Sequence, residues 1–258
     1  MIKKTLLYAA GLAMFAASCQ KSKDVTGTEI SMSTVSLINA NASAKSVDFI
    51  VDGNKKSVNA PVPANGIILG TYIGISRGAP HSLVVKDATN GSDYYSGTLE
   101  GLPNKAYSLF VYDTLTAGKL KTLYLTTNRA LSSGNLSTSN IRFLNLSPKS
   151  PVLDCWFVRV VGTLRTDSVK AVALTAYVGS TPTPDVNALS AYTTINANQA
   201  AGANGTGSAI TSYVVKLTVA NTNNIVASLA TTIVPGRNYT IFARGLYPST
   251  SIGIVADN

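Results

Sequence analysis

Histidine and cysteine are almost missing from this chain of 258 residues, which has one His and two Cys. Zinc sites need several His and Cys ligands at set spacings, so a single chain this poor in both has no donor set for one. A Ser-His-Asp hydrolase would have to use His81, in Ala79-Pro80-His81-Ser82 at the entry to a strand. Acidic residues are also few. There are twelve Asp and Glu in all, and Glu29 and Glu100 are the only glutamates, a thin supply for the paired carboxylates of a glycosidase. Charge overall is sparse, at 13% Asp, Glu, Lys and Arg, with a formal net charge of +9. After Lys3-Lys4 the basic residues are scattered, in groups no denser than Lys55-Lys56 and Lys119-Leu120-Lys121. Nucleic-acid binders gather Lys and Arg on one face, so no nucleic-acid partner is expected. Weak attraction to anionic glycans or lipids remains open to such a chain. No helical stripe of apolar residues is found either.

The one long apolar run is at the start. Met1-Ile2-Lys3-Lys4 is followed by uncharged residues 5–15, too short for the roughly 20 residues that span a bilayer but right for a secretory signal. It ends in Ala16-Ala17-Ser18-Cys19, which resembles the lipobox of bacterial lipoproteins, with Ala16 where Leu is usual. That resemblance implies a signal peptide over 1–18, acylation at Cys19 and a lipidated tether over 19–33. Gln20 after the cysteine favours the outer membrane. With Cys19 acylated, Cys155 is alone and no disulfide forms within the chain, so stability must come from apolar cores.

What is present occurs twice. Asn39, Asp48 and Phe49-Ile50-Val51 return, shifted by 106, as Asn145, Asp154 and Cys155-Trp156-Phe157. Leu102-Pro103-Asn104-Lys105-Ala106-Tyr107 returns, shifted by 132, as Val234-Pro235-Gly236-Arg237-Asn238-Tyr239. The second copy is therefore longer between its landmarks. Two β-rich repeats are expected, over 34–128 and 140–258, joined by a polar linker at 129–139. The extra length falls at about 162–210, with added strands near 170–178 and 192–197 and a small-residue loop at 199–208 read as disordered.

Period-two alternation predicts the strands. Val47, Phe49 and Val51 share one face, and Asp52-Gly53-Asn54 supplies turn chemistry. Further strands are expected at 67–73, 82–86, 94–99, 107–112 and 120–126, in the arrangement of an antiparallel sandwich or barrel. Tyr107 and Tyr239 follow a Pro-containing turn and precede an apolar strand, the setting of a tyrosine corner whose hydroxyl bonds upstream backbone.

The lipobox, the length and the repeated Asn145-x-Ser147-Pro148-to-Asp154 pattern resemble tandem modules of the bacterial domain of unknown function 4397 family. Those modules recur in pairs in Bacteroidetes lipoproteins, and the similarity would cover 34–258. The first copy departs from the pattern, with Asn41-Ala42 in place of Ser147-Pro148. The resemblance implies an all-β fold of two tandem immunoglobulin-like sandwiches in the cell envelope, and implies no activity.

A non-catalytic envelope module that binds or displays, with glycan or protein partners and no cofactor, is the leading expectation. Its candidate contact residues are Tyr94, Tyr95, Tyr112 and Trp156. Tyr and Trp supply contact area with little entropy loss. Asp113-Thr114-Leu115 and Asp167-Ser168-Val169 resemble Bacteroidetes O-glycosylation acceptors, which would place a glycan on Thr114 and Ser168. The rival classes are a hydrolase using His81 or the Asp48/Asp154 pair, and a structural spacer or filament component. The repeated aspartates are expected to brace neighbouring loops. Cys155 falls on the core face, whereas Trp156 falls on the opposite face and is expected to be covered by the other repeat or by the extra segment.

Overall fold

Valine, isoleucine, threonine and tyrosine alternating with polar residues leave the chain little but strands to form. In the computed structural model, which describes residues 32–57, 60–64, 66–74, 80–102, 104–128, 138–161, 164–197 and 211–257, they make sixteen. The first eight are β1 (Met32–Asn39), β2 (Val47–Val51), β3 (Asn54–Lys55), β4 (Ile67–Gly74), β5 (His81–Asp87), β6 (Asp93–Leu99), β7 (Ala106–Thr116) and β8 (Lys119–Thr127). Then come β9 (Thr138–Asn145), β10 (Leu153–Val161), β11 (Leu164–Thr175), β12 (Thr193–Asn196), β13 (Thr211–Val219), β14 (Ile225–Ile233), β15 (Asn238–Arg244) and β16 (Ser251–Ala256). A single turn of helix, α1 (Val186–Ser190), lies between β11 and β12 and is capped by the Asp185 carboxylate. Cys19, the signal peptide, most of the tether, most of the linker and the 199–208 loop lie outside the described residues.

Four four-stranded sheets result, ordered β4-β1-β7-β8, β3-β2-β5-β6, β12-β9-β15-β16 and β11-β10-β13-β14. The orders match between the two halves of the chain, with β9 in the place of β1 and β10 in the place of β2. Pairing is antiparallel except where β1 lies parallel to β7 and β9 parallel to β15. The antiparallel sandwich read from the sequence holds for the other pairs, and the two parallel ones were not foreseen. There the intervening strands return the chain to the sheet in the same direction. Local chemistry explains the hairpins. Asp52 and Gly53, at φ 49° and 74°, make a two-residue turn between β2 and β3, as the primed hairpin turns require. The extra length of the second half shows in β11, twelve residues where β3 has two.

Each pair of sheets encloses a core. Val35 and Leu37 from β1, Phe49 from β2, Leu83 and Val85 from β5, and Leu109 and Val111 from β7 fill the first. Phe143, Cys155, Phe157, Val215, Leu217 and Ile241 are among those filling the second. A third core lies between the β1 and β9 sheets, made by Ile38, Phe110, Leu123, Leu125, Leu144, Phe242 and Val255. The stack therefore has four layers, and its two inner sheets are buried on both faces. The inner faces meet through equivalent residues: Ile38 and Leu144 are related by the shift of 106, Phe110 and Phe242 by the shift of 132. The two Phe rings touch edge to face, with centroids 5.4 Å apart.

The tyrosine pair behaves as the sequence predicts. Tyr107 Oη accepts from the Leu102 N–H at 2.8 Å and Tyr239 Oη from the Val234 N–H at 3.0 Å. The carbonyls of the same two residues accept from Ser33 and Ser139, another pair separated by 106. Asn104 and Gly236 take the left-handed conformation the turn needs. Tyr107→Phe or Tyr239→Phe removes the acceptor of a part-buried N–H and should cost about 0.5–1.5 kcal/mol, read by urea unfolding. An unchanged midpoint would mean water replaces the hydroxyl freely.

Candidate functional site

Most of the polar residues that the repeat singles out serve the fold. Asn39 Nδ2 donates to the carbonyls of Lys45 and Val62, and Asn145 Nδ2 to those of Pro151 and Thr175. Both side chains are fully buried, where an unpaired amide would be costly, so each braces the crossing from one sheet to the next. Asp48 and Asp154 sit in different sandwiches. Asp48 holds Lys55 at 2.8 Å and Ser57 at 2.8 Å. Asp154 holds Lys170 at 2.7 Å and accepts from the N–H groups of Leu174 and Asn221. Burial opposes the charge on Asp154, but Lys170 and the two N–H groups outweigh it and keep the carboxyl below the usual range.

His81 is buried and its Nδ1 meets Asp52 Oδ2 at 2.5 Å, with Asp52 also accepting from the Ser82 N–H. That partner was not foreseen, because Asp52 reads as a turn residue. The His81 hydrogen bond is the main reason the Asp52 carboxyl lies below its ordinary range. Among the described residues, no hydrogen-bond partner meets His81 Nε2. The sequence does contain one Gly-x-Ser-x-Gly string, Gly74-Ile75-Ser76-Arg77-Gly78, just ahead of His81. A nucleophile elbow turns from a strand into a helix. Here the described elements on either side, β4 and β5, are both strands, and residues 75–79 lie outside the described set.

A second polar group was also missed, on the third core. Arg142, 1% exposed, donates from Nε and Nη2 to Thr240 Oγ1 at 3.0 and 2.7 Å, and from Nη1 to the Thr126 carbonyl of the other sandwich at 2.9 Å. Thr240 in turn donates to Asp257 Oδ2 at 2.6 Å, and Tyr192 donates to the same oxygen at 2.9 Å. The guanidinium lies 5.0 Å from the Tyr192 ring and 4.0 Å from Asp257. Burial raises the Asp257 carboxyl above its usual range despite the nearby cation. Ser36 holds the equivalent place in the first copy, so the repeat itself gave no warning of this cluster.

The proposed contact aromatics divide sharply. Tyr94 is 3% exposed and packs in the first core, with its hydroxyl on Asp87. Tyr112 is 2% exposed and meets the Tyr177 ring in the third core. Both are therefore corrected to core residues, since neither ring is accessible to a ligand. Tyr95 is half-buried and packs against the first core over Gly97. Thr114 is half-buried at the irregular end of β7, with its N–H on Asp113, while Ser168 is exposed on β11.

Trp156 alone of the four faces outward. Cys155, its neighbour, is fully buried in the second core, and burial raises its thiol far above the ordinary range. Trp156 lies on the outer face of the β10 sheet, between Lys170 of β11 and Lys216 of β13, its register partners on either side. Coverage by the other repeat is corrected: the first sandwich stacks against the β9 sheet, two layers away. Trp156 Nε1 donates to Thr218 at 3.2 Å, and Lys170 Nζ sits 4.9 Å from the ring while paired to Asp154. Beside the ring is an open groove of about 380 Å3, lined also by Val158, Lys216, Thr218, Asn223 and Ile225, with Ser168 at its β11 side. That volume is at the lower end for small-molecule sites. The first copy has Ile50 at the place of Trp156, so the groove belongs to the second half alone. Lys216, Asn223 and Ile225 carry no mark in the sequence until β13 is paired with β10.

Native protein should resist thiol reagents at Cys155 while its single Trp is quenched from solution. Iodide should quench better than caesium, because two lysines flank the ring. Rapid labelling of Cys155 with a shielded Trp156 would require the opposite register.

No curated protein matches the chain. Among solved structures, a family 26 carbohydrate-binding module from Eubacterium rectale in complex with maltoheptaose is 11% identical, with a TM-score of 0.23 over 87% of this chain and 96% of that one. A fimbrial assembly protein from Parabacteroides distasonis is 9% identical, with a TM-score of 0.19 over 88% and 98%. Likeness at those scores carries no argument about function. Residues 33–156, which run from β1 to β9 and into the opening of β10, match the family described as Domain of unknown function (DUF4397).

Proposed function

We propose that the protein is a non-catalytic lipoprotein of the cell envelope, anchored through Cys19 in the outer membrane. In this reading its two sandwiches are tandem immunoglobulin-like modules, and the second presents a binding surface for a glycan or protein partner. The Trp156 groove carries the proposal. A lone tryptophan held half-open on an outer sheet, with a hydroxyl, an amide and a lysine beside it, is costly to leave in water and well suited to stack on a ligand. The polar residues that would serve a hydrolase favour this reading too. Asp48 and Asp154 are each occupied by a lysine in separate sandwiches, and His81 is tied to Asp52.

A glycan array and a pull-down with the acylation-free chain from residue 20 onward test the proposal. A partner is expected from one of them, and its binding should be lost in Trp156→Ala. No partner in either, or a partner indifferent to Trp156, would sink it.

A further inference from the structure

We propose that the groove beside Trp156 takes an acidic sugar, with the apolar face of the ring on the indole and its carboxylate on Lys216; this rests on the binding role given above. Charge complementarity favours that occupant. Lys170 and Lys216 flank Trp156 on its two neighbouring strands, yet they differ in what they hold. Lys170 is spent on Asp154, whose side chain is 1% exposed. Lys216 has no carboxylate partner among the described residues, and none of the residues lining the groove is acidic. Asp167, the other carboxylate of this sheet, belongs to Arg159 at 3.0 Å. Lys216 thus lines a groove whose other lining residues offer it no counter-charge.

The remaining lining suits a sugar better than a peptide or a lipid chain. Thr218 is 94% buried and fixed by the indole N–H, so it holds the tryptophan in one orientation. Asn223, at the turn between β13 and β14, adds an amide donor and acceptor for ring hydroxyls. Val158 and Ile225 close the apolar floor and side. A neutral sugar would leave Lys216 desolvated without a partner, so the charge also discriminates between sugars. The first sandwich cannot share the function. It has Ile50 where the second has Trp156 and Val84 where the second has Lys216, by the shifts of 106 and 132.

The test uses the chain from residue 20 onward, a short oligogalacturonide, and the same oligomer with its carboxyls methyl-esterified. Titration calorimetry or Trp156 fluorescence reads binding to each. The acid is expected to bind about tenfold more tightly than the ester, the scale of one charge-assisted hydrogen bond. Added salt should narrow that gap. Lys216→Gln should erase the preference for the acid over the ester while leaving the fold unchanged. Trp156→Ala should remove binding of both, with an unchanged far-UV spectrum showing that the sheet is intact. Equal binding of acid and ester overturns the acidic assignment and leaves a sugar groove standing. Acid binding that survives Trp156→Ala overturns the groove as its site. Binding of neither oligomer also overturns the inference, and the array and pull-down above then decide separately whether the broader binding role falls with it.

Discussion

Phe242→Ala should destabilise the whole chain by about 3–5 kcal/mol, far more than a typical substitution on a sheet face. Phe242 is fully buried, meets Phe110 of the other sandwich edge to face, and lies over Gly253 on the neighbouring strand. A Cβ at Gly253 would come within 2.2 Å of the Phe242 ring, so this glycine is the hollow that seats the phenylalanine. Truncation leaves a cavity at the point where both inner sheets meet, and neither sandwich can collapse into it alone. For a chain of this size each kcal/mol moves Tm by about 2–4 °C, so the shift should be on the order of 6–20 °C. Calorimetry should show the wild type unfolding in one transition and Phe242→Ala broadening into two as the third core weakens. Gly253→Ala tests the same place from the opposite side, by overpacking, at about 1–3 kcal/mol. Two transitions already present in the wild type, with a small shift in Phe242→Ala, would mean that the two sandwiches are stable independently and merely touch.

Arg142→Met should cost about 3–5 kcal/mol, because it leaves Asp257 as an unpaired buried carboxylate and the Thr126 carbonyl without its donor. Arg142→Met combined with Asp257→Leu should recover most of that loss, since an apolar pair of similar volume avoids desolvating either charge. The pH dependence has a definite sign. Asp257 has its folded value raised by burial, so the folded protein binds this proton more readily than the unfolded chain does. Its penalty is then largest above the folded value and fades as pH falls toward the unfolded one. Removing the cation raises the folded value further. The Arg142→Met deficit relative to wild type, measured by urea unfolding, should therefore be smaller at about pH 5 than at about pH 8. An equal deficit at both, or a double variant as unstable as the single, would show that Asp257 is not the charge left behind.

The strands and their faces were legible because period two is written into β2, where buried and half-buried residues alternate without a break. The tyrosine corners were legible for a different reason: each rests on a local turn and one hydroxyl. What escaped was the contact between the two inner sheets. β7 is buried on both faces over residues 106–112, and Ser108-Leu109-Phe110-Val111-Tyr112 duly shows little polar alternation. Read as one strand among others, that run gives no hint of which neighbour covers its second face. The same gap misplaced Tyr112 on the surface and allowed the other repeat as a cover for Trp156. Arg142 was missed because a charged residue beside Ile141 and Phe143 reads as the wet side of a strand. Its partners Thr126, Thr240 and Asp257 lie far from it in sequence, and only the stacking of sheets brings them together. The groove was half visible, in that Trp156 was correctly set on the face opposite Cys155, but Lys216 required the pairing of β10 with β13.

The third core also bears on what a fused pair can do that two free copies cannot. Two identical chains meeting through the Ile38 and Phe110 face would be an isologous dimer, and would come apart on dilution. Covalent connection removes that concentration dependence, since each half finds its counterpart at the effective concentration set by the short link between β8 and β9. It also removes a symmetry constraint. In a homodimer an arginine at position 142 would appear on both sides of the seam. Here it appears once, facing Ser36's half of the molecule, where a backbone carbonyl rather than a second cation receives it. The outer sheets gain the same licence: one can carry Trp156 and Lys216 while the other keeps Ile50 and Val84, so two like halves present unlike outer faces.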